Sequence, residues 1–199
     1  NYQLVVFDIQ NKNKPTKINA IGIPNNVETI FAYNNNLYLG STTGIFIVDI
    51  QNPSIPLIIG SATHTLGCDP VIVKDTIAYS TIRNGRTCNN GIPSTFNQLI
   101  IYNVKNSNNP IQINQINMIE PQGLSIDGNN LFVCDGRNGL IVFDISDLKN
   151  PIYRNRISVS NAIDIISVNE TLIISTSSSY ALYSYSNINN IIHLSDIQK

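Results

Sequence analysis

The chain has 199 residues, a hydrophobic share of 42% and a formal net charge of −1. Charged residues make up 13% of it, well below the roughly 25% of an average domain. Lys and Arg are scattered, so the chain lacks the basic stripe that nucleic-acid binding requires. No apolar run approaches the roughly 18 residues of a membrane-spanning helix. We therefore expect one globular domain with no nucleic-acid partner.

A short motif recurs along the whole chain. Each copy is an apolar run with a polar anchor residue near its end, as in LVVFDI (Leu4–Ile9) and LIVFDI (Leu140–Ile145). The anchors are spaced by 41, 54, 41 and 40 residues, and they are Asp8, Asp49, Asn103, Asp144 and Ser184. Seven residues after each anchor stand Pro15, Pro56, Pro110, Pro151 and, in the last copy, Ile191. The one long interval contains an insertion between Arg83 and Gln98.

Each period contains four short β-rich runs, and turns rich in Asn, Gly and Asp separate them. In the second repeat the runs are Val27–Tyr33, Leu37–Gly40, Gly44–Ile50 and Pro56–Ala62. The turn residues favour the positive φ angles of tight hairpins. Four antiparallel strands every 40 to 45 residues, roughly, are typical of a β-propeller blade. The predicted class is all-β, a propeller of four-stranded antiparallel blades; a sandwich of irregular strands is the alternative.

We name the strands of a blade A to D from the ring axis outward. The first repeat supplies only C and D, so the predicted propeller (1–199) has about 4.5 blades: a half blade at 1–25 and blades at 26–65, 66–119 with the insertion 83–98, 120–161 and 162–199. Because Met118 is the sole methionine, we expect a further segment before Asn1. The chain would then be the C-terminal part of a larger ring. The alternative is a distorted small ring with an unpaired edge strand.

The repeats LVVFDI…P and GLIVFDI…NP resemble the LVIVD repeat. The stretches VETIFAYNNNLYLGSTTGIFIVDI (Val27–Ile50), CDPVIVKDTIAYSTIRNG (Cys68–Gly85) and LFVCDGRNGLIVFD (Leu131–Asp144) resemble LVIVD-repeat proteins of the bacterial surface. The resemblance implies a β-propeller, secreted and lipid-anchored at the cell surface or outer membrane through an upstream Cys absent from this chain. It implies no defined activity. Asn103 and Ser184 replace the repeat Asp, which argues against a catalytic role for that position.

Two of the three cysteines are expected to meet. In a propeller the D–A and B–C connections share one face, which we call the top face. Cys68 is at the D–A entry of its blade and Cys88 is in the enlarged B–C loop of the same blade, so a disulfide is plausible. Two free thiols are the alternative. Cys134 is within an apolar B strand and is expected to be a buried, inert thiol.

A polar residue stands at the start of each A strand. The segments VETI, CDPV, PQGL and IDII align and place Glu28, Asp69, Gln122 and Asp164 near the top mouth of the central channel. Such an arc could hold a cation or a basic group of a partner. Alternatively, each side chain bonds the backbone of the neighbouring blade and sets the blade spacing.

The top-face loops collect most of the distinctive side chains. The predicted partner surface consists of Arg83, Arg86, Phe96, Asp135 and Arg137. The insertion ranks first in it, although a loop of no consequence is the alternative. Two histidines are too few for a His-rich metal site.

The chain contains no GxSxG, HExxH, P-loop or EF-hand motif. We therefore expect no catalytic set, no metal and no cofactor. The first functional hypothesis is a non-catalytic binding or scaffolding module of a cell-envelope lipoprotein, which contacts a protein partner such as an outer-membrane complex. The second is an enzyme, a hydrolase or lyase, in which Glu28, Asp69 and Asp164 at the channel mouth serve as acid and base or hold a metal.

Overall fold

The computed structural model of the protein describes residues 2–23, 26–64, 70–84 and 96–199. Across these ranges the chain forms eighteen β-strands. None of the described residues forms a helix long and apolar enough to cross a membrane. The all-β class predicted from the repeat is confirmed.

The strands form five antiparallel sheets, one of two strands and four of four strands. The two-stranded sheet contains β1 (Tyr2–Asp8) and β2 (Thr16–Ile23). The other four sheets each pair their strands in chain order. The first of them contains β3 (Val27–Tyr33), β4 (Asn36–Ser41), β5 (Gly44–Asp49) and β6 (Leu57–Thr63), and the second contains β7 (Val71–Lys74), β8 (Ile77–Ile82), β9 (Gln98–Asn103) and β10 (Ile111–Asn117). The third contains β11 (Leu124–Asp127), β12 (Asn130–Cys134), β13 (Leu140–Asp144) and β14 (Ile152–Ile157), and the fourth contains β15 (Asp164–Val168), β16 (Thr171–Ser175), β17 (Ser179–Ser184) and β18 (Ile192–Gln198).

The sheets are the blades of a β-propeller, as the repeat predicts. The first strands of successive four-stranded sheets contact one another: β3 contacts β7, β7 contacts β11, and β11 contacts β15. These strands are therefore the innermost ones, in position A. The fourth strands carry most of their residues exposed or half-buried, as the outer position D requires.

The hydrophobic core is divided into clusters, and each cluster is enclosed between two adjacent sheets. Ile45 and Ile47 of β5, for example, pack in one cluster with Val71 and Tyr102 of the next sheet. The middle strands of the sheets that have a neighbour on both sides consequently bury both of their faces, and all six residues of β8 are buried. Burial on both faces explains why these strands read as continuous apolar runs and show little alternation.

The repeat anchor has a structural role at the end of strand C. The Oδ1 atoms of Asp8 and Asp49 each accept a hydrogen bond of 2.8 Å from the backbone N–H two residues further on. Asn103 accepts the equivalent bond at 3.0 Å, and the Ser184 hydroxyl accepts it at 3.4 Å. Any short side chain with an oxygen acceptor can close this turn. Asp144 makes the same turn, and its bonds from Ser146 and Arg154 lower the pKa of its carboxyl to about 2.

A second acceptor follows three residues after every anchor. Its side chain again accepts a hydrogen bond from the N–H two residues ahead, at 3.0 to 3.2 Å, and the five acceptors are Asn11, Asn52, Asn106, Asp147 and Asn187. Each C–D loop thus contains two such turns in series. Four of the five acceptors are Asn, because Asn both accepts this bond and tolerates turn geometry.

Each outer strand carries one β-bulge. In β2, β6 and β10 the residue after the bulge approaches the C–D loop of the next blade. Asn19 donates from Nδ2 to the carbonyl oxygen of Ser54 at 2.7 Å, and Asn114 donates to that of Lys149 at 3.0 Å. In β6, the outer strand between these two, Gly60 occupies the same position after the bulge. A Cβ atom there would lie 1.9 Å from the carbonyl oxygen of Ser107. The blades are therefore joined by polar backbone contacts outside the apolar core as well.

We expect Gly60→Ala to destabilise the protein by about 2 kcal/mol, because the added methyl group must displace backbone of the next blade. Gly22→Ala is the matched control, since that glycine is also in an outer strand and a Cβ atom on it would meet nothing within 4 Å. Urea denaturation of both variants measures the difference. Equal midpoints for the two variants would contradict the contact between the blades.

Candidate functional site

The starts of the innermost strands enclose a cavity of about 220 Å³. It brings together Glu28, Gln122 and Asp164 from three different blades, three of the four polar residues predicted to form an arc. The fourth, Asp69, lies outside the described residues, and its neighbour Pro70 lines the cavity. Arg83 also lines the cavity; it directly follows β8, the second strand from the axis in its sheet. One cavity therefore combines carboxylates, an amide and a guanidinium group.

The backbone around Gln122 is fixed by hydrogen bonds within its own blade and to the preceding one. Its N–H donates to the carbonyl oxygen of Cys134 at 2.8 Å, and Cys134 donates back to Gly123 at 2.9 Å. The buried hydroxyl of Thr81, in the preceding blade, donates to the carbonyl oxygen of Gln122 at 2.6 Å. Because both blades hold this segment, the Gln122 side chain starts from a rigid backbone.

Gly123 and Asp164 form the closest approach in the cavity. The Gly123 N–H donates to the carbonyl oxygen of Ile163 at 2.9 Å. A Cβ atom on Gly123 would lie 2.0 Å from the Asp164 Oδ1 atom and 2.7 Å from its Cα atom. The absence of a side chain at Gly123 thus makes room for the carboxylate, whose Oδ1 also accepts a bond of 2.9 Å from the Ile165 N–H. The site depends on a glycine that the polar alignment did not single out.

The predicted alignment of the arc is wrong by one residue in the last blade. Tyr33 and Asp127 are the last A-strand residues that pair with strand B in their hairpins. Glu28 stands five residues before Tyr33, and Gln122 stands five residues before Asp127. Asp164 stands only four before its counterpart Val168. The true counterpart is Ile163, which also lines the cavity, so Asp164 enters from the neighbouring register position. An alignment of the A strands from their A–B hairpin turns, and not from their polar residues, would have revealed this one-residue shift.

The charges in the cavity have opposite signs. Glu28 and Asp164 are exposed, whereas Arg83 is half-buried. Asp164 also acts on the core behind the site: it contributes, after burial itself, to raising the pKa of the Cys134 thiol far above its usual range. Cys134 is 0% exposed and therefore stays a protonated, inert thiol, as predicted. No group of three His, Cys, Asp or Glu side chains in the described part of the chain could hold a metal ion.

The residues of the predicted partner surface do not form one patch. Phe96 is 45% exposed and Arg137 is exposed, but Arg83 belongs to the axial cavity. Arg86 and the Cys68–Cys88 pair lie outside the described residues, so the predicted disulfide stays a prediction.

Asp135 requires a correction, because it is 1% exposed and offers no surface to a partner. Its carboxylate accepts hydrogen bonds from the Ile119 N–H at 3.1 Å, from the Glu120 N–H at 2.7 Å and from Asn138 Nδ2 at 2.7 Å. These bonds tie the B–C turn to the segment that enters the same blade. The sequence predicts that a charged residue in a B–C turn is exposed. Asp135 is instead buried, and its carboxylate accepts hydrogen bonds that hold the turn in place.

Comparison with known proteins identifies the repeat. The LVIVD repeat matches residues 25–64 and 120–158. Two of the blades match this repeat. The predicted resemblance is therefore confirmed, and the two matched segments contain Glu28 and Gln122 of the cavity. No curated protein matches the chain.

Several solved structures share the fold at low sequence identity. The periplasmic gluconolactonase of Pseudomonas aeruginosa superposes with a TM-score of 0.76 at 10% identity, over 98% of this chain and 63% of that one. A protein from Lactobacillus plantarum gives 0.76 at 13%, over 96% and 64%, and a chain of a mitotic checkpoint complex gives 0.72 at 14%, over 99% and 60%. The chain thus spans less than two thirds of the length of each of these structures. At such identities the likeness shows the propeller fold alone.

The prediction of a non-catalytic binding or scaffolding module is corrected by these comparisons. A solved structure that superposes over 98% of the chain is an enzyme. Repeated architecture and the lack of a familiar catalytic motif are therefore no argument against catalysis on this scaffold.

We expect Gly123→Ala to disturb the cavity, because the new methyl group would collide with the carboxylate and Cα atom of Asp164. The melting temperature should fall by several degrees, on the order expected for about 1–3 kcal/mol in a protein of this size. Gly22→Ala again serves as the control. A thermal scan in which both variants melt like the parent would show that Asp164 does not approach Gly123 so closely.

Proposed function

We propose that the protein is a hydrolase whose active site is the axial cavity, and that its substrates are small cyclic esters of sugar acids. The observation that carries the proposal is the convergence of two carboxylates, an amide and a guanidinium group in one cavity of about 220 Å³. This volume is below the roughly 300–1,000 Å³ of pockets for drug-sized ligands and suits a monosaccharide-sized substrate. The shared fold with a periplasmic gluconolactonase supports the substrate class.

Ester hydrolysis needs a base for the attacking water and donors for the carbonyl oxygen. Asp164 suits the role of base, since its carboxylate is exposed to the cavity while the Ile165 N–H and the close backbone of Gly123 fix its position. Glu28, on the first of the four-stranded blades, is the second candidate for this role. Both side chains offer oxygen atoms that can accept a hydrogen bond from the attacking water.

Arg83 and Gln122 suit the role of donors to the developing oxyanion. The guanidinium group offers several N–H donors and a permanent positive charge, and the Gln122 amide adds two further N–H donors. Gln122 begins from a backbone held by Thr81 and Cys134, so its donors need little reorganisation during the reaction.

The proposed hydrolysis has two steps. The carboxylate takes one proton from water while the water oxygen forms a bond to the carbonyl carbon. The tetrahedral intermediate then collapses, the ring C–O bond breaks, and the alkoxide leaving group takes up the proton. The products are a hydroxy acid and the regenerated carboxylate, so one lactone and one water are consumed per turnover.

We expect glucono-lactone hydrolysis, followed as acid release in a pH-stat, to fall by at least about 100-fold in Asp164→Asn, because an amide cannot accept the proton. Glu28→Gln should have a smaller or equal effect. Glu170→Gln is the control: it removes a carboxylate at an A–B turn, on the face opposite the cavity.

Hydrolysis of a panel of lactones at the uncatalysed rate would overturn the proposed function, as would an Asp164→Asn variant that retains full activity. An elimination by the same carboxylates would form a C=C bond, so the ultraviolet absorbance of an unsaturated product would separate a lyase from a hydrolase.

We further infer an extracytoplasmic location. The name of the periplasmic structure with the same fold supports it, and so does the pairing expected for Cys68 and Cys88, because disulfides persist in oxidising compartments. Lipid anchoring at the outer membrane, and a protein partner there, follow only from the family resemblance and stay predictions.

The predicted disulfide can be tested by counting thiols. The sequence contains three cysteines, so the unfolded, unreduced protein should react with one equivalent of a thiol reagent, at Cys134. After reduction it should react with three. Cys68→Ser should raise the unreduced count to two, because it frees Cys88, and a count of three in the unreduced parent would exclude the pair.

A further inference from the structure

A second cavity, of about 350 Å³, lies on the top face at the outer end of the sheet β11–β14. The B–C turn contributes Arg137, Asn138 and Gly139 to its wall. The segment at the end of β14 contributes Arg156, Ser158, Val159 and Ser160. Two arginines and two serines thus face one space, and none of the residues that line it is acidic.

Arg156 is held by a chain of polar contacts. Its Nη1 donates to Asn138 Oδ1 at 2.8 Å, and Asn138 Nδ2 donates to the carboxylate of Asp135 at 2.7 Å. Asp135 is 1% exposed and lines a different cavity, so its charge lies behind Asn138. The hydrogen bond to Asn138 uses one of the five N–H donors of the Arg156 guanidinium group. Arg156 is therefore positioned with further donors for a ligand.

Arg137 is held more loosely. Its Nε atom lies 3.5 Å from Glu120 Oε2, and its side chain is 85% exposed. An exposed ion pair of this kind is weak, so a stronger anion can compete for the guanidinium group. Glu120 is the second acidic residue near the cavity, and like Asp135 it does not line it.

The two halves of the cavity are fixed in position by Gly139. Its φ angle is +87°, which favours glycine, and a Cβ atom on it would lie 2.2 Å from the carbonyl oxygen of Ile157. The turn that carries Arg137 therefore rests directly on the strand end that carries Arg156. The exposed hydroxyls of Ser158 and Ser160 complete the set of donors.

We propose that this cavity binds a phosphate group. Guanidinium groups match oxyanions with two parallel N–H donors each, and such charge-assisted bonds are roughly twice as strong as neutral ones. A tetrahedral phosphate offers more acceptor oxygens than a carboxylate, and two guanidinium groups with two hydroxyls can use them. The site is separate from the axial cavity, so it does not depend on the proposed hydrolase activity.

The test is a titration of the ¹⁵N-labelled protein with sodium phosphate, with sodium chloride keeping the ionic strength constant. We expect saturable shifts of the amide signals of Asn138, Ser158 and Ser160, with a dissociation constant on the order of 1 mM. Arg156→Gln should weaken binding by about tenfold, as expected for the loss of a charge-assisted hydrogen bond.

Arg154→Gln is the matched control, because it removes the same charge from the same strand. The Arg154 guanidinium pairs with Asp144 and does not line the cavity. Binding by this variant should stay within about twofold of the parent. Equal weakening in both variants would mean that only the overall charge matters, and would overturn the site.

Two further ligands identify the source and the class of the anion. Glycerol phosphate that binds more tightly than inorganic phosphate indicates a phosphate ester as the natural ligand, whereas equal affinity indicates free phosphate. Sodium acetate should bind at least about tenfold more weakly, because a carboxylate offers fewer acceptors. Acetate that binds as tightly as phosphate, or no saturable phosphate binding at all, would overturn the proposal.

Discussion

The fold depends on the burial of both faces of every inner blade. A single four-stranded sheet of this chain cannot hide its own apolar residues, because its middle strands carry them on both sides. Tyr79 and Phe132, both 0% exposed, illustrate this in two successive sheets, since each packs in a cluster shared with the adjoining sheet. Stability is therefore shared between neighbours, as in other repeat architectures.

Polar contacts between blades supplement this apolar packing and align each outer strand with the C–D loop beside it. The repeat anchors and the second set of acceptors shape every C–D loop in the same way. The residue after the outer bulge then meets the loop of the next blade through Asn19, Gly60 or Asn114. Because apolar faces alone can slide past one another, these directional contacts fix how far the first four sheets are rotated relative to one another.

The axial cavity follows from that rotation. The starts of the innermost strands converge where the blades are closest, and this brings Glu28, Gln122 and Asp164 to one space although they are far apart in sequence. At this point Gly123 allows Asp164 to approach. The chemistry of the site thus arises at positions where the repeats differ, while the shared residues build the scaffold.

The sequence by itself determined the all-β class, the blade repeat and the structural role of the anchor residues. These properties are local: hairpin turns, apolar runs and acceptor side chains act over a few residues, and they recur with a fixed period. The sequence also predicted that polar residues meet at the axis, since the period places the start of every A strand at the same height.

Only the tertiary structure decided which residues face one another across blades. The one-residue shift that brings in Ile163 beside Asp164, the entry of Arg83 into the axial cavity and the burial of Asp135 depend on hairpin register and on blade rotation. So does the meeting of Arg137 with Arg156, which the left-handed turn at Gly139 holds together. Contacts between blades are set by close packing of many side chains at once, and a periodic pattern does not encode them position by position.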